Sequence, residues 1–375
     1  MKIPITKPYF DEKEPEAAKK AVESGWIIQG PKTKEFEDKI AEYVHAKHAI
    51  AVSSCTTALH LSLIAAGIKA GDEVICPSFT FIATPNSIEY TGAKPVFVDI
   101  DEETYNINPE LIEEKITEKT KAILPVDQVG LSCDHDKMQK IAKKHSLNII
   151  EDAAPAIGAK YKNKMIGAVS DLTCFSFHPR KIITTAEGGM ITTDNDGYAE
   201  KLRMLRSFGT KTTPLERLNS NNILTEEYSE LGYNYRITDI QSAIGIEQMK
   251  KLPEILEKRR NLAKIYDEEL SKINNLTTPY VPNYTNHTYQ TYVIKVLEKD
   301  RNQIMKKLLE KQIACKIGVE ICHTQSYYTK KYGKTSLPKT EKAHKSTILI
   351  PLYPSMTQEE QEYVIKCLKE AVNKC

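Results

Sequence analysis

The segment CFSFHPRKIITTAEGG, residues 174–189, decides how the rest of this chain is read. An apolar, β-rich run at 174–177 stops at His178-Pro179, a single lysine follows at Lys181, and the segment closes on Glu187-Gly188-Gly189. The end of a buried strand is where open α/β sheets form their pockets. A lysine there becomes a nucleophile when desolvation or a neighbouring charge lowers its pKa. A solvated lysine in a basic loop is the competing reading. In a chain with 52 lysines and arginines, that reading wins unless other groups converge on the same place.

Outward from this segment, apolar runs alternate with helical patterns. Strands are expected at 48–52, 73–76, 95–98, 122–126, 148–151, 171–177 and 189–193. Helices are expected between them, at 56–66, 82–90, 109–115 and 137–145, with amphipathic segments at 14–24 and 33–43 ahead of the first strand. Continuous apolar strands separated by helices imply a parallel sheet covered on both faces, and right-handed crossovers bring the strand ends to one rim. Residues 158–171 read as a hairpin or polar connection, and 209–227 as a mobile loop. A long helix is expected from 238 to about 270, followed by a second unit with strands at 291–296 and 348–352 and helices at 301–311 and 357–373. The single tryptophan, Trp26, sits between turn formers in GWIIQGP and is read as a packing residue.

The composition excludes several function classes. The 52 basic and 50 acidic residues give a formal charge of +2, without the basic face that nucleic acid or an anionic membrane would need. No apolar run approaches the ~18 residues of a membrane-spanning helix, and the opening MKIPITKPYFDEKE lacks a signal-peptide core, so a cytoplasmic protein is expected. The 8 cysteines form no CxxC pair and have no histidine companions at metal-ligand spacing, which reads as reduced thiols and no metal site.

Three features fall on the rim. Ser53-Ser54-Cys55-Thr56-Thr57 lies between a strand and a helix N-terminus, where free N–H groups, hydroxyls and the helix dipole can hold a phosphate, although Ser and Thr are also ordinary caps. The strand at 149–151 ends in Glu151-Asp152, and alternation turns these two carboxylates to opposite faces. The third feature is Lys181, with Ser176 five residues before it. A phosphate cradle, a strand-end carboxylate and a late lysine together form the set that pyridoxal phosphate requires.

These segments resemble the DegT/DnrJ/EryC1/StrS sugar aminotransferases, a branch of the fold-type I pyridoxal phosphate enzymes. The resemblance rests on SGWIIQGP, HAIAVSSCTTALHLSL, GDEVICPSFTFIATPNSI, GAKPVFVDID, ILPVDQVG, IIEDAAPAIGA, CFSFHPRKIITTAEGGMI and LGYNYRITDIQSAIG in family order, with LPKTEKAH near the end. It implies an α/β fold, with a mostly parallel central sheet in a large domain at 1–250 and a smaller C-terminal α+β domain at 251–375. It implies that Lys181 is the Schiff-base lysine and Asp152 the partner of the pyridine nitrogen. Thr56, Thr57 and Ser176 would bind the phosphate, Phe81 would stack on the ring, and Asn234 would reach the neighbouring subunit's cofactor in a homodimer. The implied reaction moves an amino group from L-glutamate to a nucleotide-linked keto-sugar. Arg180, Arg236 and Lys160 are candidates for its diphosphate, and His323 either lines the sugar end or packs.

Four positions depart from the family pattern: Pro155 replaces a glutamine or histidine that touches the cofactor's phenolic oxygen, Asp127 stands where histidine is frequent, Ala186 replaces a glycine, and Cys55 another. Related sugar dehydratases carry histidine at the lysine position, and Lys181 here favours amination. A non-enzymatic regulator would show a basic recognition helix or a lost lysine–carboxylate pair, and this chain shows neither.

Overall fold

The protein was described from a computed structural model, which covers residues 1–212 and 227–374. Two helices, α1 (Lys13–Glu23) and α2 (Pro31–Val44), precede the sheet. Then follow β1 (His48–Val52), α3 (Cys55–Ala65), β2 (Glu73–Pro77), α4 (Ala83–Tyr90), β3 (Lys94–Val98), β4 (Thr120–Ile123), α5 (His135–His145) and β5 (Asn148–Asp152). A short ribbon, β6 (Lys160–Tyr161) and β7 (Lys164–Met165), leads into β8 (Leu172–Ser176), β9 (Gly189–Thr193) and α6 (Asp196–Arg206). Among the described residues the larger sheet has 7 strands in the order β1-β9-β8-β5-β4-β2-β3.

Strand direction follows from the connections. β2 pairs in parallel with β3 and β4, β4 with β5, and β5 with β8, as the alternating pattern implies. β9 runs antiparallel to both its neighbours, β8 and β1. Parallel neighbours need a crossover of a dozen or more residues. Residues 177–188 form no helix that could cross the sheet, so the chain turns back beside the strand it has just left. That turn carries Lys181.

β2, β8 and β9 are buried at every position, which is why they read as largely apolar runs without a regular polar alternation. Helix α3 is apolar on almost every side and packs inside the molecule. The expected helix at 109–115 is two single 3₁₀ turns, Pro109–Leu111 and Glu113–Lys115, in a segment whose acidic run offers no apolar stripe. Most of the expected mobile loop, 213–226, lies outside the described residues.

The long helix, Asp239–Leu270, starts on a capping box between Thr238 and Gln241. Its first half supplies Ile246, Met249, Leu252, Ile255 and Leu256 to the core that also holds Phe36, Ile40 and Phe177. Its second half supplies Ala263, Tyr266 and Leu270 to a separate core with Tyr292, Ile294, Ile348, Ile350 and Leu368. Further strands are β10 (Leu276–Thr277), β11 (Thr285–Asn286), β12 (Tyr292–Val296), β13 (Lys316–Ile317) and β14 (Thr347–Ile350). Four of them form a second sheet ordered β10-β12-β14-β13, while β11 joins the ribbon at β6. We propose 1–250 and 251–375 as the two units of the chain, with this helix shared between their cores. Helices Ser326–Tyr332 and Pro338–Ser346 have no counterpart in the sequence reading, because their short polar sequences show no apolar period.

Candidate active site

β1, β8 and β5 point the same way, so their C-terminal ends and the residues just beyond them meet on one edge of the sheet. Asp152 is the last residue of β5 and is 5% exposed. Its Oδ2 accepts a hydrogen bond from Thr84 Oγ1 at 2.7 Å, and its Oδ1 accepts one from the Ala154 N–H at 3.2 Å. Cys55 Sγ lies 4.0 Å from Oδ1. Burial pushes the Asp152 carboxyl above its ordinary pKa, against the Thr84 hydroxyl and the charge of Lys181, which favour the carboxylate.

Lys181 stands in the turn between β8 and β9, half-buried. Burial of its ammonium lowers its pKa, and the charge of Asp152 only partly restores it. Among the described residues its ammonium makes no hydrogen bond or ion pair, so the amine and the carboxylate influence each other without touching. A desolvated amine without a partner is poised to act on a bound molecule.

The cradle is built by the N-terminus of α3. Ser54 Oγ accepts the Thr57 N–H at 3.2 Å, and Thr57 Oγ1 accepts the Ser54 N–H at 3.1 Å and donates to the Ser54 carbonyl at 2.7 Å. The Thr57 hydroxyl is thus engaged in the cap, whereas the Thr56 N–H in the first turn has no intrahelical acceptor. Gly189, paired with Ser176 across the β8–β9 ladder, brings the sheet against this turn. A Cβ at Gly189 would lie 2.5 Å from the Ser54 carbonyl carbon and 2.7 Å from the Cys55 nitrogen. Because both are backbone atoms, Gly189→Ala is expected to push the cradle outward. It should cost about 1–3 kcal/mol of stability and weaken cofactor retention about tenfold, measured by thermal unfolding and by cofactor titration.

The remaining expected residues fall around this centre. Ser176 is 7% exposed, and its Oγ is 3.4 Å from the His178 N–H that donates to it. Phe81 is 64% exposed and lines a cavity of about 720 Å³ with Asn86, Tyr90, Gln325, Tyr327 and Tyr328. Asn234 is exposed, its sequence neighbours Tyr233 and Tyr235 stack their rings on each other, and the Tyr235 carbonyl accepts the Ser53 N–H at 2.8 Å.

Other residues are held elsewhere. His323 is buried, its Nδ1 2.6 Å from Ser78 Oγ, so it packs between segments. Lys160 lies on the β6 ribbon facing a different cavity, with Tyr43 and Arg260. Arg180 is exposed next to Lys181, and Arg236 stacks on Phe208 at 5.0 Å. Pro155 is buried, and its carbonyl accepts a hydrogen bond from Thr288 Oγ1 at 3.2 Å. Trp26 folds back onto Gly30, where a Cβ would meet its indole nitrogen at 1.7 Å.

Thr84 is the functional residue that the sequence reading did not single out. It sits in PSFTFIATPNSI beside the predicted Phe81, and only the fold brings it to Asp152. Thr84→Val is expected to remove a charge-assisted hydrogen bond of ~1.5 kcal/mol, raise the pKa of Asp152 further and lower kcat about tenfold. The measurement is the kcat–pH profile, whose acidic limb should move to higher pH.

The buried strand-end carboxylate, the unpartnered amine and the glycine-lined helix N-terminus match what pyridoxal 5′-phosphate needs for its ring nitrogen, aldehyde and phosphate.

A family model described as the DegT/DnrJ/EryC1/StrS aminotransferase family matches residues 8–369. The chain is 42% identical over 377 aligned residues to the uncharacterized protein MJ1066 of Methanocaldococcus jannaschii, covering 99% of this chain and 98% of that protein. It is 38% identical to the spore coat polysaccharide biosynthesis protein SpsC of Bacillus subtilis, covering 99% of this chain and 97% of SpsC. Among solved structures, Helicobacter pylori PseC, an aminotransferase of pseudoaminic acid biosynthesis, superposes with a TM-score of 0.94 at 28% identity over 100% of both chains. The PLP form of the Streptococcus pneumoniae putative sugar aminotransferase Spr1654 superposes with a TM-score of 0.93 at 28% identity, covering 100% of this chain and 99% of that one.

Proposed function

Because this chain belongs to the DegT/DnrJ/EryC1/StrS aminotransferase family, we propose that it moves an amino group from L-glutamate to a nucleotide-linked keto-sugar. The fold is that of the fold-type I pyridoxal phosphate enzymes, and the protein is a pyridoxal phosphate-dependent sugar aminotransferase. The cofactor supplies an electron sink for the substrate's α-carbon. The observation that carries the reading is the desolvated, unpartnered amine of Lys181 facing the buried carboxylate of Asp152.

Lys181 would hold the cofactor through its amine and, as a free amine, would be the base that takes up and returns the proton of the substrate's α-carbon. Its lowered pKa supports that role, since more of it is free amine near neutral pH. One base serves both half-reactions, which fits a ping-pong sequence. Asp152 would keep the pyridine nitrogen protonated. The Thr56 N–H and the Ser176 hydroxyl would hold the phosphate at the turn that Thr57 caps, and Phe81 would stack on the ring.

The cavity beside Phe81, lined by Tyr90, Tyr327 and Tyr328, offers flat aromatic faces to a nucleotide-sugar. A homodimer is part of the proposal, with Asn234 reaching the neighbouring subunit's cofactor. The exposure of Phe208 and Leu231 beside the Asn234 segment supports an interface on that face. Among the described residues no helix is long and apolar enough to cross a membrane. We place the protein in the cytoplasm, a placement supported by the buried, unpaired cysteines among the described residues.

The test uses purified holoenzyme and a panel of dTDP-, UDP- and GDP-linked keto-sugars. L-Glutamate alone should shift the visible absorption of the bound cofactor, and one keto-sugar should then yield an amino-sugar and restore the band. A protein that stays colourless with added cofactor sinks the enzyme reading. One that releases a dehydrated sugar instead sinks the transfer.

A further inference from the structure

Behind Asp152, on the opposite face of β5, lies a second group of titratable side chains that the transfer reaction leaves unused. Strand alternation turns Glu151 away from Asp152. Glu151, Asp127 and His135 are each 0% exposed, and their polar atoms lie within 4.8 Å of one another. Glu151 Oε2 accepts a hydrogen bond from Thr173 Oγ1 at 2.9 Å, and its Oε1 is 2.9 Å from His135 Nε2. Asp127 Oδ1 accepts the Cys133 N–H at 2.9 Å. Among the described residues, Asp127 Oδ2, Glu151 Oε1 and His135 Nε2 make no well-aligned hydrogen bond, so each still has a proton or a lone pair to share.

The cluster is tied to the cofactor site through the backbone. The Asp127 N–H donates to the Asp152 carbonyl at 3.1 Å, and the Asp152 N–H donates to the Pro125 carbonyl at 2.9 Å. The residue that faces Glu151 with its side chain therefore holds the strand end bearing Asp152 with its main chain. Tyr161 meets the His135 ring edge-on at 5.1 Å, and Ser170 Oγ lies 3.5 Å from His135 Nδ1.

Charge decides how the protons are distributed. Two ionised carboxylates beside a neutral imidazole would leave uncompensated charge in a dry interior, the costliest arrangement available. We infer that Asp127, Glu151 and His135 form an electroneutral cluster that positions Asp152, with Asp127 as a carboxylic acid donating toward Glu151, and Glu151 as the carboxylate paired with a His135 imidazolium.

Burial, and then the charge of Glu151, push Asp127 well above the usual carboxyl range. Burial acts the same way on Glu151, but the His135 charge and the hydrogen bonds to its carboxylate outweigh it and lower its pKa. The charges and thiols facing Asp152 are Lys181, Cys55, Cys174 and Glu151, and Glu151 raises its proton affinity. Facing the cluster itself are Cys133, which burial and then the neighbouring acidic groups hold as a thiol, and Tyr161, whose hydroxyl donates to Asp134. His135 thus offsets a charge that would otherwise make Asp152 harder to ionise.

The inference rests on the role of Asp152 proposed above, and one arm of its test does not. Infrared difference spectra of the holoenzyme, wild type minus Asp127→Asn at neutral pH, should show the carbonyl band of one buried carboxylic acid. Absence of that band overturns the proton assignment, as does one equivalent of divalent metal in the purified protein that disappears in Asp127→Asn. The second arm reads Asp152 through the pH at which the bound cofactor's visible absorption titrates on the acid side. His135→Gln should move that limb upward by about one pH unit, whereas Asp127→Asn, which keeps the cluster's charge, should leave it in place. A lower melting temperature in His135→Gln with an unmoved limb would reduce the cluster to a structural role. If that variant does not fold, Thr173→Val removes one hydrogen bond from Glu151 and should move the same limb upward by a smaller amount; no movement overturns the positioning role.

Discussion

Replacing Lys181 with alanine is expected to lower kcat for amination about 10³-fold or more, equivalent to about 4 kcal/mol of transition-state stabilisation. Two functions are lost together. On the proposed mechanism the amine that anchors the cofactor disappears, and Asp152, assigned to the ring nitrogen, does not take its place as the base. Single-turnover amination and the visible spectrum of the purified variant measure the two losses separately. A variant that keeps both the band and the rate would remove Lys181 from the mechanism.

The same residue predicts a stability effect of opposite sign. Its pKa in the fold is lowered from 10.5, so between the lowered value and 10.5 the unfolded chain binds more protons than the folded one. The folded cofactor-free protein should therefore gain stability as pH rises through that window. Below it, the buried ammonium is a full liability, and Lys181→Met should raise the melting temperature of the cofactor-free protein at neutral pH. The activity loss and the stability gain together separate a functional lysine from a structural one, whose removal would lower both.

Asp152→Asn is expected to reduce kcat about 10²-fold, or about 2.7 kcal/mol, with the KM of the keto-sugar changed less than about twofold. The amide keeps one acceptor oxygen for the Ala154 N–H and turns its NH2 toward the Thr84 hydroxyl, which can accept as well as donate, so the local geometry should largely survive. What it removes is the negative charge that keeps a proton on the ring nitrogen, and each pKa unit lost there corresponds to about 1.4 kcal/mol. Steady-state kinetics with glutamate and the sugar varied in turn would locate the loss. A rise in the sugar KM at constant kcat would place Asp152 in substrate binding instead.

Much of this was legible in the chain. The order of strands and helices could be read because the strands are buried on both faces and therefore appear as largely apolar runs without polar alternation, as in Glu73–Pro77 and Leu172–Ser176. Lys181 and Asp152 stood out because each follows such a run, and the structure couples the two electrically. Thr84 was not legible, because its partner is distant in sequence and threonine inside a helix has no distinguishing pattern. The partners of Asp127, Glu151 and His135 were equally hidden, since the three come from a loop, a strand and a helix and share no spacing. His323 shows the limit from the other side. Its motif pointed to either a cavity wall or a packing role, and only its contact with Ser78 decides for packing.

By itself, the sequence determined the class of protein: an α/β chain whose rim carries a phosphate cradle, a strand-end carboxylate and a lysine, in the order of one aminotransferase family. Local patterns suffice for that, because periodicity, capping residues and turn chemistry act over a few residues. Only the tertiary structure decided the direction of β9, the desolvation that lowers the pKa of Lys181, the hold of Thr84 on Asp152 and the buried cluster behind it. Each of these depends on which groups are excluded from water beside which others. That exclusion is a property of the packed interior, to which residues far apart in the chain contribute together.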